Sequence, residues 1–191
     1  ASLKTGRQNL KRAEMNHKSV DSSISPAKAA PQLNHLREDG SMHMVDVASK
    51  KPSHRVAVAE ASLSLNKAAY KALYEGSSPK GDVWAAARLA GIMAAKKTSD
   101  LIPLCHNIPL THVAIDFEKR DAGVTILATA ESHGVTGVEM EAMTAASVSA
   151  LCIYDMLKAV ARDITIDKIL LREKKGGKSG HWTRQASPMN K

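Results

Sequence analysis

Between Arg55 and Leu171 the spacing of apolar residues passes twice from every second position to every third or fourth and back, and this order limits the possible folds most. From Arg55 to Leu65 the pattern alternates, with Val56, Val58, Leu63 and Leu65 as the apolar members of a strand. Asn66 is placed to cap a helix whose stripe of Ala68, Ala69, Ala72 and Leu73 ends at Gly76. Asp82 opens a second, Ala-rich helix that runs to Lys97. Leu101 to Pro109 carries Pro103 and Pro109 and cannot be regular helix. Two strand patterns follow, Leu110 to Glu118 and Gly123 to Ala130, joined by a turn with Asp121 and Gly123. A long helix from Val138 to Arg162 and a strand from Ile164 to Leu171 complete the order. Residues 32–53 read as an ordered loop with one short strand at Met44-Val45-Asp46-Val47.

The order is β-α-β-β-α-β, with the first helical region in two pieces. It predicts an α+β fold, a ferredoxin-like split β-α-β sandwich whose antiparallel sheet carries its helices on one face. Apolar residues make up 43% of the chain but aromatics only 3%, so the core must be built on Ala, Val, Leu and Ile. At 191 residues one domain is expected, over 32–182. Residues 1–31 are Ser-rich and hold six Lys/Arg against two acids; they read as a flexible basic leader or linker, and 183–191 as a mobile tail. Half of the net charge of +8 lies in that leader, so the folded part has no need of a nucleic-acid face. Cys105 and Cys152 sit in unlike settings, a Pro-bracketed loop and an apolar helix face, which argues against a disulfide and for a reducing compartment. No run of 18 apolar residues is present to span a membrane.

The polar residues of the long helix are the candidates for chemistry. Asp155 and Lys158, three apart, share one face among apolar neighbours. Either they form a solvated ion pair, or Lys158 moves protons, its pKa lowered by desolvation while Asp155 holds it in place. Glu139 and Glu141 occupy the first turns, where the helix dipole favours acids, and Met140-Glu141 could line a pocket for a guanine-like ring. Glu141 and Asp155 are 14 residues apart, about 21 Å along a straight helix. A long ligand, a bent helix or two subunits each giving one end would reconcile them, and the third option is preferred.

Cys105-His106 lacks a second ligand pair for zinc, so His106 suits phosphate contact, proton transfer or loop capping. Lys80-Gly81-Asp82 precedes a helix N-terminus and reads as an anion site, or simply as a turn and a cap. Gly176-Gly177-Lys178-Ser179 is not a Walker loop, because Arg172 stands where its first glycine belongs and no helix follows. A basic glycine loop can still cradle phosphate.

The strings Met44-Val45-Asp46-Val47, Lys80-Gly81-Asp82-Val83, Leu101 to His106, Thr136 to Ser147 and Gly176 to Gly180 closely resemble the MoaC family, the cyclic pyranopterin monophosphate synthases of molybdenum cofactor biosynthesis. The likeness runs from Asn34-His35 to Gly180-His181-Trp182. It implies a phosphorus–oxygen lyase that rearranges (8S)-3',8-cyclo-7,8-dihydroguanosine 5'-triphosphate to cyclic pyranopterin monophosphate with loss of pyrophosphate. It also implies a hexamer, a trimer of dimers, with active sites at subunit interfaces. The family's catalytic Asp and Lys fall on Asp155 and Lys158. Its substrate contacts fall on Leu104, Cys105, His106, Met140 and Glu141, with Glu139 beside them, and its basic pocket positions on Arg55, Lys80 and Lys174. Many members have Gly-Lys-Thr-Gly where this chain has Gly134-Val135-Thr136-Gly137, so a lysine there is not required.

No resident cofactor or metal is implied; magnesium would arrive with the triphosphate. The basic leader points to the mitochondrial matrix, with the cytoplasm as the alternative. Two other classes compete. A ferredoxin-like RNA-binding module would need exposed sheet aromatics, and the strands carry only Phe117. A metal-dependent phosphohydrolase would need a carboxylate/His cluster that the sequence does not offer.

Overall fold

The computed structural model describes residues 36, 37 and 39–185. Its elements in chain order are β1 (Ser53–Ser64), α1 (Lys67–Tyr74), α2 (Val83–Ala95), the single turn α3 (Thr98–Leu101), β2 (Leu110–Arg120), β3 (Gly123–Gly134), α4 (Glu139–Leu157), β4 (Thr165–Lys175) and β5 (Trp182–Thr183). The strands form one sheet in the order β2-β3-β1-β4-β5, antiparallel throughout. Without the short β5 edge this is the ferredoxin-like order that the periodicities predict.

The capping residues act as the sequence suggests. Asn66 accepts the Ala69 N–H at 2.9 Å and Asp82 accepts the Ala85 N–H at 3.0 Å, each meeting one orphan donor of a first turn. Gly76 leaves α1 with φ +67°, a left-handed conformation that a Cβ would disfavour.

The inward phase of β1 differs from expectation. Ala57, Ala59, Ala61 and Leu63 are fully buried, while Val56 and Val58 are half-buried on the opposite side. The reason is steric. Facing them are Ala142, Ala145, Ala146 and Ala150 of α4, all fully buried in the same core, so small residues on both sides let the helix lie close to the sheet. The larger valines pointed to the wrong face because alanine is a weak hydrophobic signal. On β3 the expected Val124, Ile126 and Ala128 are inward and fully buried.

Close approach recurs between α2 and α4. A Cβ on Gly91 would stand 2.2 Å from Ser149 Oγ, and that buried hydroxyl donates to Ala87 O at 3.0 Å. Gly91→Ala should therefore destabilise by about 1–2 kcal/mol despite alanine's better helix propensity, read as a lower urea midpoint.

Three further differences are found. The expected strand at Met44–Val47 is irregular; only an isolated bridge, Leu36 to Met42, precedes β1. The long helix ends at Leu157 rather than Arg162, because Leu157 O takes the N–H groups of both Val160 and Ala161 and tightens the last turn. Sheet pairing runs past Trp182, with Thr183 paired to Glu173 and the Arg184 N–H donating to Arg172 O at 2.8 Å. The leader at 1–31 lies outside the described residues, as does the tail from residue 186.

Candidate functional site

α4 carries polar groups at both ends, and the fold gives each end its own neighbours. At the C-terminal end Asp155 lies in the last turn, where the helix dipole opposes a carboxylate. Two lysines offset this. Lys158, the C-cap residue, reaches Asp155 Oδ1 at 2.6 Å, and Lys80 reaches Oδ2 at 2.6 Å from the loop before α2. Hydrogen bonds from Lys158 and then Lys80 hold the Asp155 carboxyl down at about 2. The same bond to Asp155 raises the Lys158 pKa. Desolvation was expected to lower it, but half of the Lys158 side chain is exposed in the single chain, so burial is the weaker influence. Lys158 is thus a charged acid at neutral pH.

The N-terminal end of α4 faces the glycine loop after β4. Lys174 binds Glu139 Oε1 at 3.0 Å. Arg55 donates from Nε to Gly134 O at 3.3 Å and from a terminal nitrogen to Val135 O at 3.4 Å. Gly176 and Gly177, with φ +95° and +73°, turn the chain tightly against His54 and Arg55, where any Cβ would collide. Beside them opens a cleft of about 760 Å³ whose lining includes Lys50, Lys51, Arg55, Thr136, Lys178 and Ser179, and no acid. None of its four cationic side chains has an acidic partner among the described residues. A hollow of unpaired cations beside positive-φ glycines is built for a polyanion.

Glu141, in the first turn of α4, is 4% exposed, and burial pushes its pKa up. Cys105 lies close enough to feel it: burial, and then the Glu141 charge, raise the thiol pKa. A carboxyl whose folded pKa is raised favours folding at low pH and loses that contribution as pH rises through the folded value. Glu141→Gln is therefore expected to raise the denaturation midpoint at pH 7, with the difference fading as the pH falls toward 4.5, the ordinary value. Denaturation at the two pH values checks this.

His106 donates from Nε2 to Val45 O at 2.9 Å, tying the Pro-bracketed loop to the segment that leads to Lys50 and Lys51. Leu104 is half-buried in the same loop, and Met140, 36% exposed, lies at the opening of α4.

The expected site residues thus divide. Arg55, Lys174, Glu139, Met140 and Glu141 belong to the N-terminal end of α4, and Asp155 and Lys158 to the other. Lys80 was expected with Arg55 and Lys174 as a phosphate contact, but the structure sets it on Asp155. Asp82 caps α2 itself, so that helix end is already served. α4 is continuous over its 19 residues. Lys178 lies in the basic glycine loop expected to cradle phosphate, whereas Lys50 and Lys51 escaped the sequence reading; that basic pair before a strand was the available signal. Among the described residues no group of three or more His, Cys, Asp or Glu could hold a metal ion.

A ferredoxin-like α+β sandwich that separates a polyanion cleft from an ion-paired lysine cluster defines a class of protein that handles a phosphorylated small molecule. Comparison with known proteins narrows the class. The MoaC family matches residues 44–177. Cyclic pyranopterin monophosphate synthase of Thermomicrobium roseum is 54% identical over 156 residues, 81% of this chain and 94% of the relative. The protein of that name from Corynebacterium glutamicum is 51% identical over 154 residues, covering 81% and 99%. The one from Bordetella petrii is 50% identical over 155 residues, covering 80% and 96%. This chain belongs to the MoaC family.

Proposed function

We propose that this chain is a cyclic pyranopterin monophosphate synthase, converting (8S)-3',8-cyclo-7,8-dihydroguanosine 5'-triphosphate to cyclic pyranopterin monophosphate and pyrophosphate. The observation that carries the reading is the Lys158–Asp155–Lys80 cluster at one end of α4 with an acid-free cationic cleft at the other. Identity of about half with synthases along nearly their whole length supports it.

In this reading the triphosphate lies in the cleft of Lys50, Lys51, Arg55 and Lys178, with Lys174 freed from Glu139 as phosphate oxygens compete for it. Glu141 and Cys105 meet the guanine-derived ring. Lys158, charged and held by Asp155, gives a proton to the ring nitrogen that departs as the ring opens, and its neutral amine then serves as base. A ribose-derived hydroxyl attacks the α-phosphorus, the bond to the β-phosphate breaks, and fixed cations stabilise the pyrophosphate as charge develops on it. Magnesium, where used, travels on the triphosphate, and no resident cofactor takes part.

Glu141 and Asp155 stand 14 residues apart on α4, about 21 Å, too far for one compact substrate in one chain. The site is therefore composite, the cleft from one subunit and the lysine cluster from another, in a hexamer built as a trimer of dimers. Exposed Leu89 and Met93, four apart on α2, and Leu151 on α4 supply apolar surface for such contacts. Among the described residues no helix is long and apolar enough to cross a membrane. A mitochondrial matrix location rests on residues 1–31 and on the ending Gly180-His181-Trp182-Thr183-Arg184. Nothing in the comparisons with bacterial proteins supports it, and the cytoplasm is the alternative.

Pyrophosphate release tests the reading. Supplied with the cyclic dihydroguanosine triphosphate under anaerobic conditions, the protein should release one pyrophosphate per substrate consumed. Stepwise release of inorganic phosphate instead would point to a phosphohydrolase.

A further inference from the structure

We propose that the Ser78 hydroxyl is a positioning group, pinning the loop that carries Lys80 to the last turn of α4; the inference rests on reading Lys80, Asp155 and Lys158 as the chemical end of the site. The last carbonyls of any helix lack intrahelical donors. In α4, Tyr154 O takes the Lys158 N–H and Leu157 O takes those of Val160 and Ala161. Met156 O, next to Asp155, takes the Ser78 hydroxyl at 3.0 Å. Ser78 Oγ in turn accepts the backbone N–H of Lys80 at 3.3 Å. One atom of a 9%-exposed side chain thus joins the backbone beside Asp155 to the backbone of Lys80.

The loop needs such a pin. It is bounded by Gly76 and Gly81, with φ +67° and +91°, and a Cβ at either would meet nothing within 4 Å. Among the described residues, Ser78 and the Lys80–Asp155 ion pair are the hydrogen bonds that tie the loop to α4. The second cannot fix its own donor, because an ammonium on a four-carbon stem follows wherever its Cα moves. A displacement of about 1 Å can cost about 10²-fold in rate.

Ser78→Ala should lower kcat about tenfold or more with little change in KM, because the cations that line the polyanion cleft are left as they are. Ser78→Thr keeps the hydroxyl and should retain the rate. Ser78→Val, of threonine's shape, should behave as Ser78→Ala. Ser78→Cys, close in size but a weak hydrogen-bond former, repeats the comparison if Ser78→Ala does not fold.

A second readout needs no turnover. In a carboxyl-labelled NMR titration Asp155 should move up from about 2 in Ser78→Ala, since one of the two lysines that hold it down is released. Wild-type rates in folded Ser78→Ala and Ser78→Val with Asp155 unmoved would overturn the inference. So would a folded Ser78→Thr as slow as Ser78→Val, because the loss would then come from shape. If the wild type does not turn over, the functional reading fails, yet the Asp155 titration still decides whether Ser78 pins the loop.

Discussion

Replacing Lys158 by alanine is expected to reduce turnover by at least about 10³-fold while leaving the assembly and its denaturation midpoint unchanged. The reasoning is local. Lys158 is the C-cap residue of α4, and its half-exposed ammonium has Asp155 as its one ion-pair partner among the described residues. Removing it opens no cavity, and Asp155 keeps Lys80 at 2.6 Å, so no charge is stranded. What disappears is a proton donor that Asp155 has already fixed in place and kept charged. Rates under substrate saturation, with size-exclusion elution as the structural control, check the outcome. A near-normal rate would remove Lys158 from the mechanism.

The second large effect concerns how the two ends of α4 meet. Arg55→Ala is expected to cost about 10²-fold in kcat/KM, because it removes a cleft cation placed where the leaving pyrophosphate gains charge. Mixed with Lys158→Ala in one assembly, it should regain activity. A mixed pair of subunits contains one site with both defects and one with neither. Random pairing in a two-fold dimer should therefore restore about a quarter of the wild-type rate. Co-expression with two affinity tags, followed by assay of the doubly tagged species, provides the mixture. Recovery is impossible if each chain supplies a whole site.

The element order was legible because it rests on strong signals: alternation in β2 and β3, Asn66 and Asp82 as caps, and prolines closing the loop at Leu101 to Pro109. The inward phase of β1 was not. Ala57, Ala59 and Ala61 say little by themselves, and only the alanine face of α4 makes them the packing surface. The site shows the same division. Asp155 and Lys158 share a helix turn, so their pairing could be read directly. Lys80 lies 75 residues before Asp155 in the sequence, and beside a helix N-terminus it read as part of an anion site. The cationic cleft draws on stretches near residues 50, 136 and 178, which no local pattern connects. Nothing in the sequence around Ser78 shows that the carbonyl of Met156 lies beside it.

The most direct measurement is an anaerobic single turnover of the wild-type protein on the cyclic dihydroguanosine triphosphate, with the product oxidised to its fluorescent pterin and its mass determined. A pterin retaining one phosphate is expected, formed together with one pyrophosphate. A folded, assembled protein that binds this substrate and returns it unchanged would contradict it.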